Sequence, residues 1–199
     1  MPVAVVHEIS QAIALREALK TGGIHSIEVT LRTPKALEII KIMSEDPDFI
    51  VGAGTVLTEK DAHQAVSAGA RFIVSPGLDF YVVDECEKLG VPFFPGVATP
   101  SEIMQARDSG LNVVKFFPAE ALGGVSMLKA LVAPFHQTSF VPTGGINLKN
   151  LLSYLEIPQV VAVGGSWIVP EKLLYPGGYE KITELTQEAL SLIAEHEKR

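Results

Sequence analysis

Short runs of β-branched and aromatic residues recur along the whole chain, separated by segments with the periodicity of amphipathic helices. The runs begin roughly 20 to 25 residues apart, which is the spacing of a strand followed by a helix. They predict eight strands, at residues 2–6, 26–31, 50–56, 72–76, 93–97, 113–118, 139–144 and 160–166. Eight near-regular units with strands buried on both faces predict a small (β/α)8 barrel, and an open doubly wound sheet is the alternative.

The helical segments show no break that would divide the chain. Helices are predicted at residues 10–20, 34–44, 59–68, 79–89, 101–108 and 180–197. No linker or low-complexity tract interrupts the 199 residues, of which 47% are hydrophobic. We therefore predict one barrel domain over residues 1–199.

Composition limits the partners and the cofactors. A net charge of −7 argues against nucleic acid as the main partner, although a local site for one phosphate fits it. The single cysteine, Cys86, excludes an intrachain disulfide and fits a reducing cytoplasm. No signal peptide or membrane-spanning segment is predicted. The five histidines lack metal-ligand spacing, so we expect no metal and no organic cofactor.

Lys115 lies within a run of core residues, Val113-Val114-Lys115-Phe116-Phe117. An ammonium held in an apolar strand loses hydration, which brings the neutral amine within reach near neutral pH. A neutral lysine amine can attack a ketone and form an imine. The structural alternative is a lysine paired with a buried carboxylate.

Alternation along the second predicted strand places two charged residues and a threonine on one face. Ile27, Val29 and Leu31 share one face, whereas Glu28, Thr30 and Arg32 share the other, which faces the barrel interior. Buried charges need partners, so a structural Glu28–Lys115 ion pair is one interpretation. In the other, Glu28 is a general acid/base beside an amine nucleophile, with Arg32 near a substrate anion.

Glycine pairs lie at the ends of the last two predicted strands. Gly144 and Gly145 lie at the end of the seventh, and Gly164 and Gly165 precede Ser166 at the end of the eighth. Paired glycines expose backbone N–H groups that can hold a phosphate, and barrels often bind phosphate after these strands. Glycine is also an ordinary turn residue, but two pairs in corresponding positions favour a phosphate site.

Seven segments at the predicted strand ends resemble the class I 2-keto-3-deoxy-6-phosphogluconate (KDPG) and 4-hydroxy-2-oxoglutarate aldolase family. They include the segments at residues 27–33 and 51–56, and Ser75-Pro76-Gly77. The others are the segments at residues 95–102, 114–120, 142–146 and 163–167. The resemblance runs over nearly the whole chain and implies a (β/α)8 barrel without cofactor.

The resemblance also implies a role for each site residue. Lys115 would form the Schiff base and Glu28 would transfer protons. Arg32 and Thr55 would hold the pyruvate carboxylate, with Pro76 and Phe117 lining the pocket. Thr143 would contact a substrate hydroxyl. The phosphate site would comprise Gly144, Gly145, Gly164, Gly165 and Ser166.

The implied reaction is reversible cleavage of the phosphorylated keto acid KDPG to pyruvate and glyceraldehyde 3-phosphate, a step of the Entner–Doudoroff pathway. Within the family, 4-hydroxy-2-oxoglutarate or the galactonate epimer is the alternative substrate. Outside it, the alternatives are a phosphosugar isomerase or epimerase, where no imine forms, and a barrel that only binds a phosphorylated ligand. The resemblance further implies a cytoplasmic homotrimer.

One departure from the family is visible at the start of the sequence. Family members usually have a short helical segment before the first strand, whereas this sequence starts almost at the strand. We expect a difference at the bottom of the barrel, away from the chemistry at the top.

Overall fold

Parallel strands form most of the barrel wall. The computed structural model describes residues 1–197. The strands are β1 Val3–Ala4, β2 Ser26–Thr30, β3 Ile50–Gly54, β4 Phe72–Val74, β5 Phe93–Phe94, β6 Gly96–Val97, β7 Val113–Phe116 and β8 Ser139–Phe140. Strands β1 to β5 pair in chain order in one sheet, and β6 to β8 pair in chain order in a second. Every pairing is parallel.

The fifth predicted strand is divided by Pro95, which has no N–H for the ladder. Its two parts, β5 and β6, pair with β4 on one side and β7 on the other. The Pro95 carbonyl still accepts a hydrogen bond from the Lys115 N–H at 2.8 Å. The strand path therefore continues through the proline and carries the wall from the first sheet to the second.

The eighth predicted strand closes the barrel through single bridges. Segment 160–165 pairs in parallel with β8 and its extension at Phe140↔Val160 and Thr143↔Gly164, and with the start of the chain at Pro2↔Gly165. The Val3 N–H donates to the Gly165 carbonyl at 3.0 Å, and the Gly165 N–H donates to the Met1 carbonyl at 3.1 Å. The ring of strands thus returns to its first member, and the predicted barrel is confirmed.

A layer of helices surrounds the strands. The helices are α1 Gln11–Gly22, α2 Ala36–Ser44, α3 Glu59–Ser67, α4 Phe80–Leu89, α5 Pro100–Asp108, α6 Gly124–Val132, α7 Leu151–Leu155 and α8 Tyr179–Glu197. Neither α6, which begins in a glycine pair, nor α7, which has 5 residues, was predicted from the sequence. The predicted domain ends at Arg199, and its last two residues lie outside the described part.

Two threonines illustrate how the helix starts are set. The Thr99 side chain accepts from the Glu102 N–H and the Glu102 carboxylate accepts from the Thr99 N–H, a capping box with Pro100 in the first turn. The Thr33 hydroxyl instead donates to the Val6 carbonyl at 2.7 Å. Helix α2 consequently begins at Ala36, two residues after the predicted start.

Apolar side chains of the strands pack outwards against the helices. Ile27 and Val29 of β2 are fully buried in this layer, as the alternation along the strand predicts. Helix α8 packs on α1, where Gly22 leaves room for the Thr186 side chain. None of the helices in residues 1–197 is long and apolar enough to cross a membrane.

The end of the barrel at which the strands begin contains an apolar cavity of about 890 Å³. Its lining includes the starts of β2, β7 and segment 160–165, at Ser26, Val113 and Val160, together with Ile193 of α8. The Met1 amino group donates to the Val163 carbonyl at 2.8 Å beside this cavity. Segment 160–165 and the start of the chain are thus joined at this end.

Candidate active site

Lys115 and Glu28 meet inside the barrel. Lys115 comes from β7 and Glu28 from β2, and the Lys115 Nζ atom lies 3.5 Å from the Glu28 Oε1 atom. Only 8% of the Lys115 side chain and 1% of the Glu28 side chain are exposed. The Lys115 Nζ atom also lies 5.0 Å from the centre of the Phe117 ring, a favourable position for a cation over an aromatic face.

The Glu28 carboxyl group is only partly satisfied. Its Oε2 atom is buried and has no hydrogen-bond partner within residues 1–197. Burial raises the pKa of Glu28, and the nearby positive charge of Lys115 opposes that rise. A carboxyl group whose pKa is raised from the ordinary range can hold or release a proton closer to neutral pH, as a general acid/base must.

This geometry does not suit a purely structural ion pair. A charge-assisted hydrogen bond between an ammonium and a carboxylate is usually about 2.7–2.9 Å long, and this one is at 3.5 Å. One buried oxygen is left without a partner, which destabilises the fold unless a ligand or water satisfies it. The arrangement is typical of a functional site, where strained electrostatics are retained for chemistry.

Gly54 determines where the Glu28 carboxyl can lie. A Cβ atom added at Gly54 would overlap Glu28 Oε1 and would lie 2.7 Å from Glu28 Cδ. Gly52, two residues earlier on the same face, leaves equivalent room for the Phe72 ring. The two glycines of β3 therefore accommodate neighbouring side chains. This role could not be predicted from the sequence, because it depends on the pairing of β3 with β2 and β4.

A second polar pair lies at the rim. The Arg32 Nε atom donates to the Thr55 hydroxyl at 3.1 Å. Thr55 has φ 57, in the left-handed region that residues other than glycine rarely adopt. The Arg32 charge also favours the ionised form of Glu28, so this guanidinium is close enough to act on the Lys115–Glu28 pair.

Thr143 lies next to the strand that carries Lys115, and Pro76 lies one strand further away. The Thr143 N–H donates to the Phe116 carbonyl at 2.9 Å. Gly96 of β6 pairs with Lys115, and a Cβ atom added at Gly96 would overlap the Pro76 carbonyl. Thr143 therefore contacts β7 directly, whereas Pro76 contacts β6.

The glycine pairs have different hydrogen-bonding roles. The Gly164 N–H donates to the Pro142 carbonyl at 2.9 Å, and the Gly165 N–H is used in closing the barrel. The Gly145 and Ser166 N–H groups have no acceptor within residues 1–197, and both residues are exposed. Gly144 and Gly145 have φ 103 and 80, which turn the chain sharply after Thr143. The half-buried Gly144 also has an N–H group without an acceptor in the described part of the chain, so Gly145 and Ser166 are the exposed residues with free donors after the last two strands.

The structure brings the predicted residues to one end of the barrel in three groups. Lys115, Glu28 and Phe117 form the interior group, and Arg32 and Thr55 form the rim pair. Pro76, Thr143, Gly144, Gly145, Gly164, Gly165 and Ser166 follow the strands around them. Within residues 1–197, no group of three or more His, Cys, Asp or Glu side chains is arranged to hold a metal ion.

Comparisons with known proteins decide the family. The model of the aldolase family "KDPG and KHG aldolase" matches residues 1–185. A 2-dehydro-3-deoxy-phosphogluconate aldolase of Treponema pallidum (strain Nichols) is 47% identical over 194 residues, which are 97% of this chain and 92% of the relative. The chain belongs to the KDPG and KHG aldolase family. The resemblance found in the sequence is thereby confirmed.

Solved structures of KDPG aldolases have the same fold. The enzyme of Legionella pneumophila, with pyruvate captured as a covalent carbinolamine intermediate, superposes with a TM-score of 0.91 at 48% identity, covering 94% of this chain and 92% of that one. The enzyme of Zymomonas mobilis ZM4 with 3-phosphoglycerate gives a TM-score of 0.89 at 46% identity, covering 95% and 89%.

Proposed function

We propose that this KDPG and KHG aldolase family member is a class I aldolase that reversibly cleaves KDPG to pyruvate and glyceraldehyde 3-phosphate. The observation that carries the proposal is the buried Lys115–Glu28 pair, in which an amine lies 3.5 Å from a carboxyl oxygen with a raised pKa. A lysine amine and an adjacent proton carrier are the two groups that imine-based cleavage requires.

Lys115 begins the reaction as a free amine. Its Nζ atom attacks the C2 ketone carbon and gives a carbinolamine. The carbinolamine hydroxyl takes a proton from the Glu28 carboxyl group and leaves as water, so a protonated imine and the Glu28 carboxylate remain. The Glu28 carboxylate takes the proton of the C4 hydroxyl, directly or through one water molecule. The C3–C4 bond breaks, its electron pair moves into the enamine, and glyceraldehyde 3-phosphate leaves.

The second half of the reaction restores both groups. Glu28 returns the proton to C3 of the enamine, which becomes the imine of pyruvate. Water then adds to the imine and passes a proton to the Glu28 carboxylate, and pyruvate leaves while Lys115 is regenerated as an amine. The carbinolamine of pyruvate captured in the Legionella pneumophila relative supports this order of steps.

Two anion sites would hold the substrate at its ends. Arg32 and Thr55, joined at 3.1 Å, suit the carboxylate next to the reacting ketone. Pro76 and Phe117 would line the pocket, and Thr143 would contact a substrate hydroxyl.

The phosphate would lie across the loops that follow the last two strands. The N–H groups of Gly145 and Ser166, with the Ser166 hydroxyl, supply its donors. Gly144, Gly164 and Gly165 would allow its close approach. The 3-phosphoglycerate in the Zymomonas mobilis relative has the same pair of end groups, a carboxylate and a phosphate.

The free N–H groups favour a phosphorylated substrate over 4-hydroxy-2-oxoglutarate. That keto acid carries no phosphate, so it would leave the donors of Gly145 and Ser166 unused.

We also propose that the enzyme is a homotrimer of the cytoplasm. The third, fourth and fifth strand–helix units expose the large apolar side chains of Leu57, Phe80, Tyr81 and Met104. Such side chains on neighbouring units suit a subunit interface. Burial raises the pKa of the Cys86 thiol to about 11, which keeps it protonated and fits a protein of a reducing compartment.

Borohydride reduction in the presence of pyruvate tests the imine chemistry. We expect intact mass to show one reduced pyruvyl adduct and peptide mapping to assign it to Lys115. The Lys115→Ala variant should show no adduct, whereas Lys149→Ala, which removes an exposed lysine, should show the adduct of the parent enzyme. An adduct on a different lysine, or turnover by Lys115→Ala, would contradict the mechanism.

A further inference from the structure

Glu120 lies between the strand that carries Lys115 and the loop with the free phosphate donors. It begins a short 3₁₀ turn, Glu120–Leu122, that follows β7. Its own N–H donates to the Gly144 carbonyl at 3.1 Å. The mechanism described above gives Glu120 no role, although it contacts the glycine pair directly.

The side chain of Glu120 also supports Gly145. A Cβ atom added at Gly145 would lie 2.6 Å from Glu120 Cβ and 2.7 Å from Glu120 Cγ. The glycine backbone therefore rests on the aliphatic part of the Glu120 side chain. Within residues 1–197, Gly145 is one of the two exposed residues with an unpaired N–H after the last two strands, so this contact supports a proposed phosphate donor.

The carboxylate of Glu120 is hydrogen-bonded to α7, the helix that follows the loop at residues 144–150. The Tyr154 hydroxyl, on α7, donates to Glu120 Oε1. Tyr154 is fully buried, and burial together with this hydrogen bond raises its pKa well above the usual range. The tyrosine therefore remains a donor at any pH at which the protein works.

Asparagine side chains fasten the middle of the loop. The amides of Asn147 and Asn150 both donate to the Gly145 carbonyl, at 3.2 and 3.3 Å. With the carbonyls of Gly144 and Gly145 both bound to protein groups, the Gly145 N–H is left to face a ligand. Glu120 contacts the start of this loop at Gly145, and Tyr154, on the helix that follows the loop, holds Glu120 in place.

We propose that Glu120, held by Tyr154, is a positioning residue that presents the Gly145 N–H to the substrate phosphate and so favours phosphorylated substrates. This inference rests on the proposed function, since it concerns the phosphate end of the same substrate. Loss of the Glu120 side chain frees the loop, so the donor must be ordered again at each binding event. The pyruvate end of the site, at Lys115 and Arg32, is unaffected.

The test compares binding at the two ends of the site. For Glu120→Ala we expect the KM for KDPG and the inhibition constant of inorganic phosphate to rise about 10-fold, the worth of one charged hydrogen bond. The concentration of pyruvate that gives half-maximal borohydride trapping should stay within about two-fold of the parent value, and kcat should change little.

Three further variants separate positioning from folding and from charge. Glu120→Gln keeps the length of the side chain and an acceptor for Tyr154, so it should restore both constants to nearly parental values. Tyr154→Phe should raise the KM for KDPG without changing pyruvate trapping. Glu156→Ala removes one negative charge at the exposed end of α7 and should leave all constants unchanged.

Three outcomes would overturn the proposal. The first is an unchanged KM for KDPG in Glu120→Ala, and the second is a lowered KM caused by relief of charge repulsion. The third is an equal loss of affinity for phosphate and for pyruvate in that variant. A parent enzyme that forms no pyruvate adduct would instead refute the proposed function, and this result is distinguishable because it does not depend on Glu120.

Discussion

Replacement of Gly54 by alanine tests whether the position of Glu28 governs turnover. The added Cβ would overlap Glu28 Oε1, so the carboxyl must retreat by about 1 Å to reach ordinary contact. Glu28 is 1% exposed, so its carboxyl must move within the protein interior. A misplacement of about 1 Å can lower a rate about 10²-fold, and forcing a side chain into a packed core costs about 1–3 kcal/mol of stability.

Gly52→Ala is the matched control for this experiment. Gly52 lies on the same strand and the same face, and the three atoms nearest to its added Cβ all belong to the Phe72 ring, which the Cβ would overlap. Both variants should lose stability by similar amounts in urea unfolding. Only Gly54→Ala should lose kcat by about 10²-fold, because only it moves the proton carrier.

The assays are steady-state cleavage of KDPG, borohydride trapping with pyruvate, and urea unfolding. Gly54→Ala should still form the pyruvate adduct, since Lys115 keeps its place in β7. Parental kcat in a folded Gly54→Ala variant, or an equal loss of kcat in Gly52→Ala, would refute the argument that Glu28 geometry controls turnover.

Three other predictions concern the charged residues of the site. Glu28→Gln should keep the pyruvate adduct and lower kcat roughly 10²–10⁴-fold in steady-state assays, and parental turnover would contradict the proton-transfer role. The pKa of Glu28 is raised in the folded state, so the folded form binds the proton more tightly than the unfolded form. The free energy of unfolding therefore falls as the pH rises from the ordinary pKa of 4.5 through the raised pKa of the folded state. Urea unfolding should therefore show the parent losing stability relative to Glu28→Gln over that pH range, and a constant difference would contradict burial as the cause. Arg32→Ala should raise the half-saturating pyruvate concentration about 10-fold in trapping experiments, with incomplete recovery in Arg32→Lys, because a lysine cannot reproduce the planar fork.

Alternation along single strands explains why much of the site could be predicted. A period of two places Glu28 inside the barrel and Ile27 outside, and the structure has both as expected. The same rule places Lys115 on the interior face of β7. Closure of the barrel then brings the two residues together, because side chains that point inward share one small space.

Contacts that depend on the pairing of strands could not be derived in this way. The overlap between Gly54 and Glu28 requires the register in which Glu28 pairs with Gly52 and Thr30 with Gly54. The hydrogen-bonding roles of Gly164 and Gly165 likewise depend on partners distant in sequence, Pro142 and Met1. Local pattern predicts which way a side chain points, but it does not predict which backbone groups remain free.

Helices α6 and α7 were missed for local reasons. Helix α6 begins at Gly124, and glycine is among the poorest helix formers, so the sequence there favours a turn. Helix α7 covers 5 residues, too few to show a helical period. Contacts with the barrel, at Leu128 and Leu151, stabilise both helices.

The hydrogen bonds that complete the ring of strands adjoin the residue proposed to hold the phosphate. Gly164 and Gly165 are bonded to Pro142 and Met1, and the next N–H along the chain, that of Ser166, remains free. A ligand that binds only this arrangement stabilises the joined form over any form in which the last strand has separated. The last strand should therefore separate from the barrel more readily in the ligand-free enzyme than in the substrate-bound enzyme. Substrate binding would then stabilise the closed ring of strands as well as being held by it.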